Sequence, residues 1–184
     1  MNKEIYQKLA GHLDRLPSGF PPSRTGADLR LLEMLFSREE AELAVHLSIE
    51  RESARVIAAR AGLPEALVSE RLDEMARKGL IFSCRGEDGS WLYQAVPLVV
   101  GVYEFQVNSL SKELLVDLEE YWGTLQPRKR PRTITQMRTI PIGKSIPTEM
   151  NVLSYERAED LVRAADRFAV APCICRRSAK MTGG

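Results

Sequence analysis

The sequence is poor in the residues that most directly announce a site. Three cysteines and two histidines occur in 184 residues, too few thiols for a disulfide framework, so a reducing, cytoplasmic setting is expected. Charge of one sign is lacking as well. The 26 basic residues stand against 25 acidic ones, and so small an imbalance predicts no obligatory polyanion partner. No apolar run approaches the roughly 20 residues that a membrane helix needs. The longest, Val96 to Val107, is broken by Pro97, Gly101, Glu104 and Gln106. The opening Met1-Asn-Lys-Glu-Ile-Tyr has no signal-peptide core. Internal repeats and low-complexity tracts are absent. What remains is 44% hydrophobic and 28% charged, a soluble globular composition, long enough for a domain of about 100 residues plus an appendage.

Ile5, Leu9, Leu13 and Leu16 recur at helical spacing until Pro17, Gly19, Pro21 and Pro22 intervene, which predicts a docking helix and an extended connector. Leu29, Leu31, Leu32, Leu35 and Phe36 make a second apolar helix, and Ser37-Arg-Glu-Glu40 is a capping box that opens a third. In Ser53 to Ala61, residues Ala54, Ile57, Ala58 and Ala61 share one face, and Gly62 ends the helix. Pro64 suits the first turn of the next helix, whose Val68, Leu72, Met75 and Ala76 share a face; Gly79 supplies the left-handed position that stops it. Leu80 to Arg85 and Ser90 to Val96 are rich in aromatic and branched residues, with Gly86-Glu-Asp-Gly89 as the hairpin loop between them.

Helix, glycine turn, helix and hairpin in this order match the winged variant of the helix-turn-helix. The expected fold class is therefore α+β and mainly helical. Residues 1–97 are read as the winged helix-turn-helix domain with its docking helix, 98–135 as linking helices and a basic loop, and 136–184 as a small α/β segment. Within the linker, Leu98 to Val107 fits strand or helix. Ser111 to Trp122 is an amphipathic helix capped by Ser111, with Glu113 in its first turn. Beyond the basic loop, Thr139 to Ile142 and Met150 to Leu153 suit short extended segments. Ser154 then caps a helix burying Ala158, Leu161, Val162 and Ala165.

Fold alone would suggest DNA, but charge opposes it. With Val68, Leu72 and Met75 buried, the second helix presents Ala66, Ser69, Glu70, Asp73 and Arg77, with Glu74 at the edge. Three carboxylates then stand where phosphates would lie, against the counterion release that drives non-specific binding. The candidate nucleic-acid contacts are Ser69, Arg77 and Arg85, with Arg128, Lys129, Arg130 and Arg132 as a second surface, a tract that reads more simply as a solvated loop.

Cys173 and Cys175 are one residue apart and are followed by Arg176 and Arg177, whose charge favours thiolate, the metal-binding form. Soft thiolates suit an iron-sulfur cluster or zinc. Two ligands do not close a four-ligand site, and two unligated cysteines near a fraying terminus fit as well; Cys84, His12 and His46 are remote in sequence. Here a resemblance adds information. Tyr155-Glu-Arg-Ala-Glu, the run Phe168-Ala-Val-Ala-Pro-Cys-Ile-Cys-Arg-Arg177 and the preceding Arg138-Thr-Ile-Pro-Ile-Gly-Lys-Ser145 resemble a family of ferredoxin-type 4Fe-4S proteins from anaerobic bacteria. Asn2-Lys-Glu-Ile-Tyr-Gln-Lys-Leu-Ala and Gly79-Leu-Ile-Phe82 resemble its amino-terminal part. The resemblance implies that longer members carry further cysteine clusters, that this chain corresponds to an amino-terminal portion, and that Cys173 and Cys175 are 4Fe-4S ligands in such a longer parent. This chain alone is expected to hold no cluster.

Two functions follow as expectations. One is the winged-helix portion of an iron-sulfur protein, docking on a cluster-binding domain or redox protein in electron transfer or redox sensing. The other is a DNA-binding transcription regulator, in which a homodimer supplies the second half-site. Neither needs a membrane. An enzyme acting alone is not expected, because no spacing joins a Ser or Cys nucleophile to a base; a longer parent remains open as an oxidoreductase component.

Overall fold

A computed structural model describes residues 3–16, 19–125 and 155–183. Of these, 3–125 and 173–183 form one compact unit, and 155–172 belong to another. The first unit holds α1 (Glu4–Arg15), α2 (Ala27–Leu35), α3 (Arg38–Ala44), β1 (Glu52–Ser53), α4 (Ala54–Ala61) and α5 (Glu65–Arg77). Then come β2 (Phe82–Arg85), β3 (Trp91–Gln94), the short helix α6 (Tyr103–Phe105), the 3-10 turn Gln106–Asn108, α7 (Lys112–Leu125) and α9 (Ile174–Thr182); α8 (Tyr155–Arg163) lies in the other unit. The architecture is α+β and mainly helical, with one small antiparallel sheet of order β1-β3-β2.

The helices end where their chemistry requires. The Ser37 hydroxyl accepts from Glu40 N at 3.2 Å and the Glu40 carboxylate accepts from Ser37 N at 2.8 Å, completing the capping box. Gly62 takes the left-handed conformation that closes α4. Pro64 caps α5 rather than occupying its first turn, a one-residue difference. Ser111 accepts from Leu114 N at 3.0 Å at the start of α7.

Leu9, Leu31, Leu32, Leu43, Ile57 and Leu72 are buried in one apolar cluster, the main source of stability in a unit of this size. Helix α1 docks on it as its periodicity predicts, and the Tyr6 hydroxyl donates to Phe36 O at 3.0 Å. Helix α7 is more than a linker. Leu114, Leu118 and Tyr121 enter the same cluster, Tyr121 stacks 4.9 Å from Phe20, and Arg30 of α2 grips Asp117 and Glu120 at 2.7 Å each. The packing boundary expected at Pro97 is therefore absent, and 173–183 groups with the first unit rather than with 155–172. An amphipathic pattern marks which face is buried but does not name its partner.

Leu98 to Val107 is neither one strand nor one helix. It opens with an irregular turn in which Val99 is extended, and closes with α6 and the 3-10 turn. In the second unit, Arg163 pairs with Glu159 along α8. Leu161, Val162 and Ala165 are exposed rather than buried, because helical spacing gathers a stripe without supplying a surface to cover it. Thr139 to Ile142, Met150 to Leu153 and Ser154 fall outside the described residues.

Histidine joins α1 to the α3–β1 loop. His12 Nε2 lies 2.7 Å from Leu47 O. Burial pushes the His12 imidazole below its usual range, aided by the positive charges of Arg15, His46 and Arg60 and opposed by the bond to Leu47. Burial and Arg60 depress His46 in the same direction. Arg60 itself is held by Glu52 and donates to His46 O. A histidine depressed in the fold binds fewer protons than in the unfolded chain, so its stabilising share is full above the unfolded value of 6.5 and is lost as pH falls through the folded value. Urea midpoints are expected to hold steady from pH 7 to pH 8 and to drop from about pH 6.5 to 5.5. His12→Gln should flatten that drop; an unchanged pH slope in the variant would rule His12 out as a contributor.

Candidate functional site

Three of the expected contacts, Ser69, Arg77 and Arg85, lie on α5 and the hairpin that follows it. Gly62 turns the chain between the helices, and Gly79, at φ +73°, turns it from α5 toward β2. Strand β1 runs directly into α4 and pairs with β3, Glu52 opposite Tyr93 and Ser53 opposite Leu92. The hairpin thus closes back on the start of the helical pair.

The exposed surface of α5 carries Glu65, Ala66, Glu70, Asp73, Glu74 and Arg77. Asp73 is not a free carboxylate, because the hydroxyl of buried Tyr93 donates to it at 2.6 Å. Ser69 is half-buried. Burial first, then the Asp73 carboxylate, pushes the Tyr93 phenol up to about 12. The Tyr93–Asp73 bond fixes α5 against the middle strand of the sheet. Tyr93→Phe is expected to lower unfolding free energy by about 1 kcal/mol, the usual worth of one such bond when the acceptor can be re-solvated. Urea titration would show it, and no loss would mean that Asp73 finds water of equal quality.

The other basic groups near α5 are largely committed to the fold. The Arg85 guanidinium lies 4.2 Å over the Trp91 ring and donates to Gly89 O at 2.5 Å, so it clasps its own hairpin. Lys78 donates to Glu40 at 2.5 Å. Of the expected nucleic-acid contacts, Arg85 is exposed but held to its own hairpin, Ser69 is half-buried, and Arg77 is exposed and makes no side-chain hydrogen bond or ion pair among the described residues. Arg128, Lys129, Arg130 and Arg132 lie outside the described residues.

The cysteine pair sits on α9. Cys173 is its N-cap residue; both Cys173 and Cys175 are exposed, and Cys84 is half-buried in β2. Backbone N–H groups of Arg176 and Cys175 directed at the sulfur hold the Cys173 thiol below its usual range, with the Arg176 charge adding to them. Among the described residues no group of three or more His, Cys, Asp or Glu side chains is placed to hold a metal ion. The structure thus brings Cys173 and Cys175 together and leaves Cys84, His12 and His46 elsewhere. Helix α9 is amphipathic in the simplest sense: Ile174, Ser178 and Met181 are buried or half-buried, and Cys175, Arg176, Ala179 and Lys180 are exposed.

No protein-family model matches this chain, and no curated protein matches it. No described helix is long and apolar enough to cross a membrane. A cleft bordered by Leu13, Phe20, Leu35, Phe36 and Val102 is lined by apolar side chains.

Three polar residues escaped sequence reasoning. Gln106 is buried and its amide donates to Lys78 O at 2.9 Å and Gly79 O at 3.3 Å. Asn108 accepts from Arg177 at 3.2 Å. Asp28, in the first turn of α2, is buried with one carboxylate oxygen unpartnered. The first had a weak signal, a glutamine inside an apolar run; the other two had none.

Proposed function

We propose that residues 53–96 are a winged helix-turn-helix used to dock protein, and that the chain is the amino-terminal portion of a ferredoxin-type 4Fe-4S protein in cytoplasmic electron transfer or redox sensing. The observation that carries the docking half is the surface of α5. Glu65, Glu70 and Glu74 are exposed there, while Arg85 and Lys78 are bonded within the fold. Such a face repels phosphate and suits a partner with basic groups.

The cluster half rests on the resemblance of the Ala-Pro-Cys-Ile-Cys-Arg segment together with the donor chemistry of α9. Two exposed thiols at a helix start, beside Arg176 and Arg177 and backbone N–H groups, fit the thiolate ligands that a 4Fe-4S centre takes. They are two of the four, and the remainder would come from a longer parent or a partner. A bound cluster supplies one-electron chemistry; these residues hold and orient it.

DNA reading is kept as the second function because β1 feeds α4 and pairs with β3, the strand placement of a winged helix, and Arg55 and Arg77 are exposed. Anisotropy of labelled duplex DNA against salt separates the two. A DNA reader making several phosphate contacts loses affinity steeply, with a log–log slope of about −0.9 per phosphate. The docking role expects no binding with such a slope, and a steep slope would overturn it. Anaerobic iron and sulfide analysis of the longest expressible product tests the cluster, and absence of iron there would sink it.

A further inference from the structure

One short turn lies between the cysteine helix and the end of α5. On one side, Arg177 of α9 donates to Asn108 at 3.2 Å, and buried Ile174 seats the first turn of α9. On the other side, Gln106 donates to the carbonyls of Lys78 and Gly79, groups left without helical partners where α5 ends. The fit there is close: a Cβ placed on Gly79 would lie 2.5 Å from Phe105 Cβ. A turn packed this tightly transmits displacement instead of absorbing it.

We propose that Gln106–Asn108 is a relay, so that a ligand held by Cys173 and Cys175 changes the order of the Lys78–Leu80 turn from which the hairpin departs. The inference rests on the reading of the cysteine pair as a ligand site. Its input follows from local geometry. Cys173 is the N-cap residue of α9 and Cys175 lies in its first turn. A ligand held by both sulfurs fixes their spacing across the first turn of α9, where buried Ile174 sits between the two cysteines. Its output is local too, because the Lys78, Gly79 and Leu80 amides bond to Glu74, Ala76 and Met75 carbonyls at 2.9 to 3.0 Å.

Amide hydrogen exchange tests both ends. The first arm compares Ile174→Ala and, as a milder variant that keeps the apolar contact, Arg177→Ala with the parent chain. The second alkylates Cys173 and Cys175 with iodoacetamide in a Cys84→Ser background, with double labelling confirmed by mass. Exchange at Gly79 and Leu80 is expected to rise about tenfold in Ile174→Ala and in the alkylated chain, and less in Arg177→Ala. The Ala41 amide, bonded to Ser37 O in α3, should not change. Unchanged exchange at Gly79 and Leu80 in the alkylated chain overturns the relay, as does a rise that Ala41 shares equally. Absence of iron in the longer product would remove the cluster reading alone, because the alkylation arm needs no metal.

Discussion

Gly79→Ala is expected to lower unfolding free energy by about 3 kcal/mol, whereas Gly62→Ala should lower it by only about 1. Both glycines adopt positive φ, +73° and +67°, and each alanine incurs the left-handed penalty of roughly 1–2 kcal/mol. The difference is steric. A Cβ on Gly62 meets nothing within 4 Å, but on Gly79 it meets Phe105 Cβ at 2.5 Å, Phe105 O at 3.2 Å and the Gln106 amide at 3.3 Å. Overlap of that kind adds roughly 1–3 kcal/mol because part of it is backbone. Truncating Phe105 to alanine should not rescue Gly79→Ala, since the offending Cβ remains; Phe105→Gly should recover part of the loss. Equal urea midpoints for the two single variants would show that the turn moves freely away from α5, against the close fit.

Glu40→Ala is expected to lower unfolding free energy by about 2 kcal/mol, against under about 1 for Lys78→Ala. The two residues form one ion pair, but their surroundings differ. The Lys78 side chain is 56% exposed and the Glu40 side chain 8%. Losing the lysine lets the carboxylate keep its bond to Ser37 N. Losing the glutamate removes half of the capping box of α3 and the tie from α3 to the end of α5 in one step. Glu40→Gln should fall between them, because an amide oxygen still caps the helix without the charge. Chemical denaturation of the three variants checks the ranking, and a Lys78→Ala loss as large as that of Glu40→Ala would refute this asymmetry.

The candidate site was partly legible in the residue string. Gly62 and Gly79 bracketed α5, and the burial of Val68, Leu72 and Met75 left the acidic surface facing outward, as spacing alone requires. Arg85 stays exposed on the hairpin, as its place in the loop-flanking strand suggests, but its stacking on Trp91 depends on a strand register that no local pattern encodes. Strand β1 also escaped, because two residues are too few for alternation to appear. The residues after Pro172 suited a fraying terminus, yet Ile174, Ser178 and Met181 line the docked side of α9.

The sequence by itself determined the helical punctuation, the capping box, the outward acidity of α5 and the close pairing of Cys173 with Cys175. Those features depend on φ preferences, on 3.6-residue periodicity and on neighbours within a few positions. Only the tertiary structure decided that α7 enters the core, that Arg85 clasps its own hairpin, and that Gln106 and Asn108 stand between α9 and the end of α5. Each of those contacts joins residues far apart in the chain, 27 to 69 positions for the two turn residues. Their partners are chosen by packing of complementary surfaces rather than by local propensity.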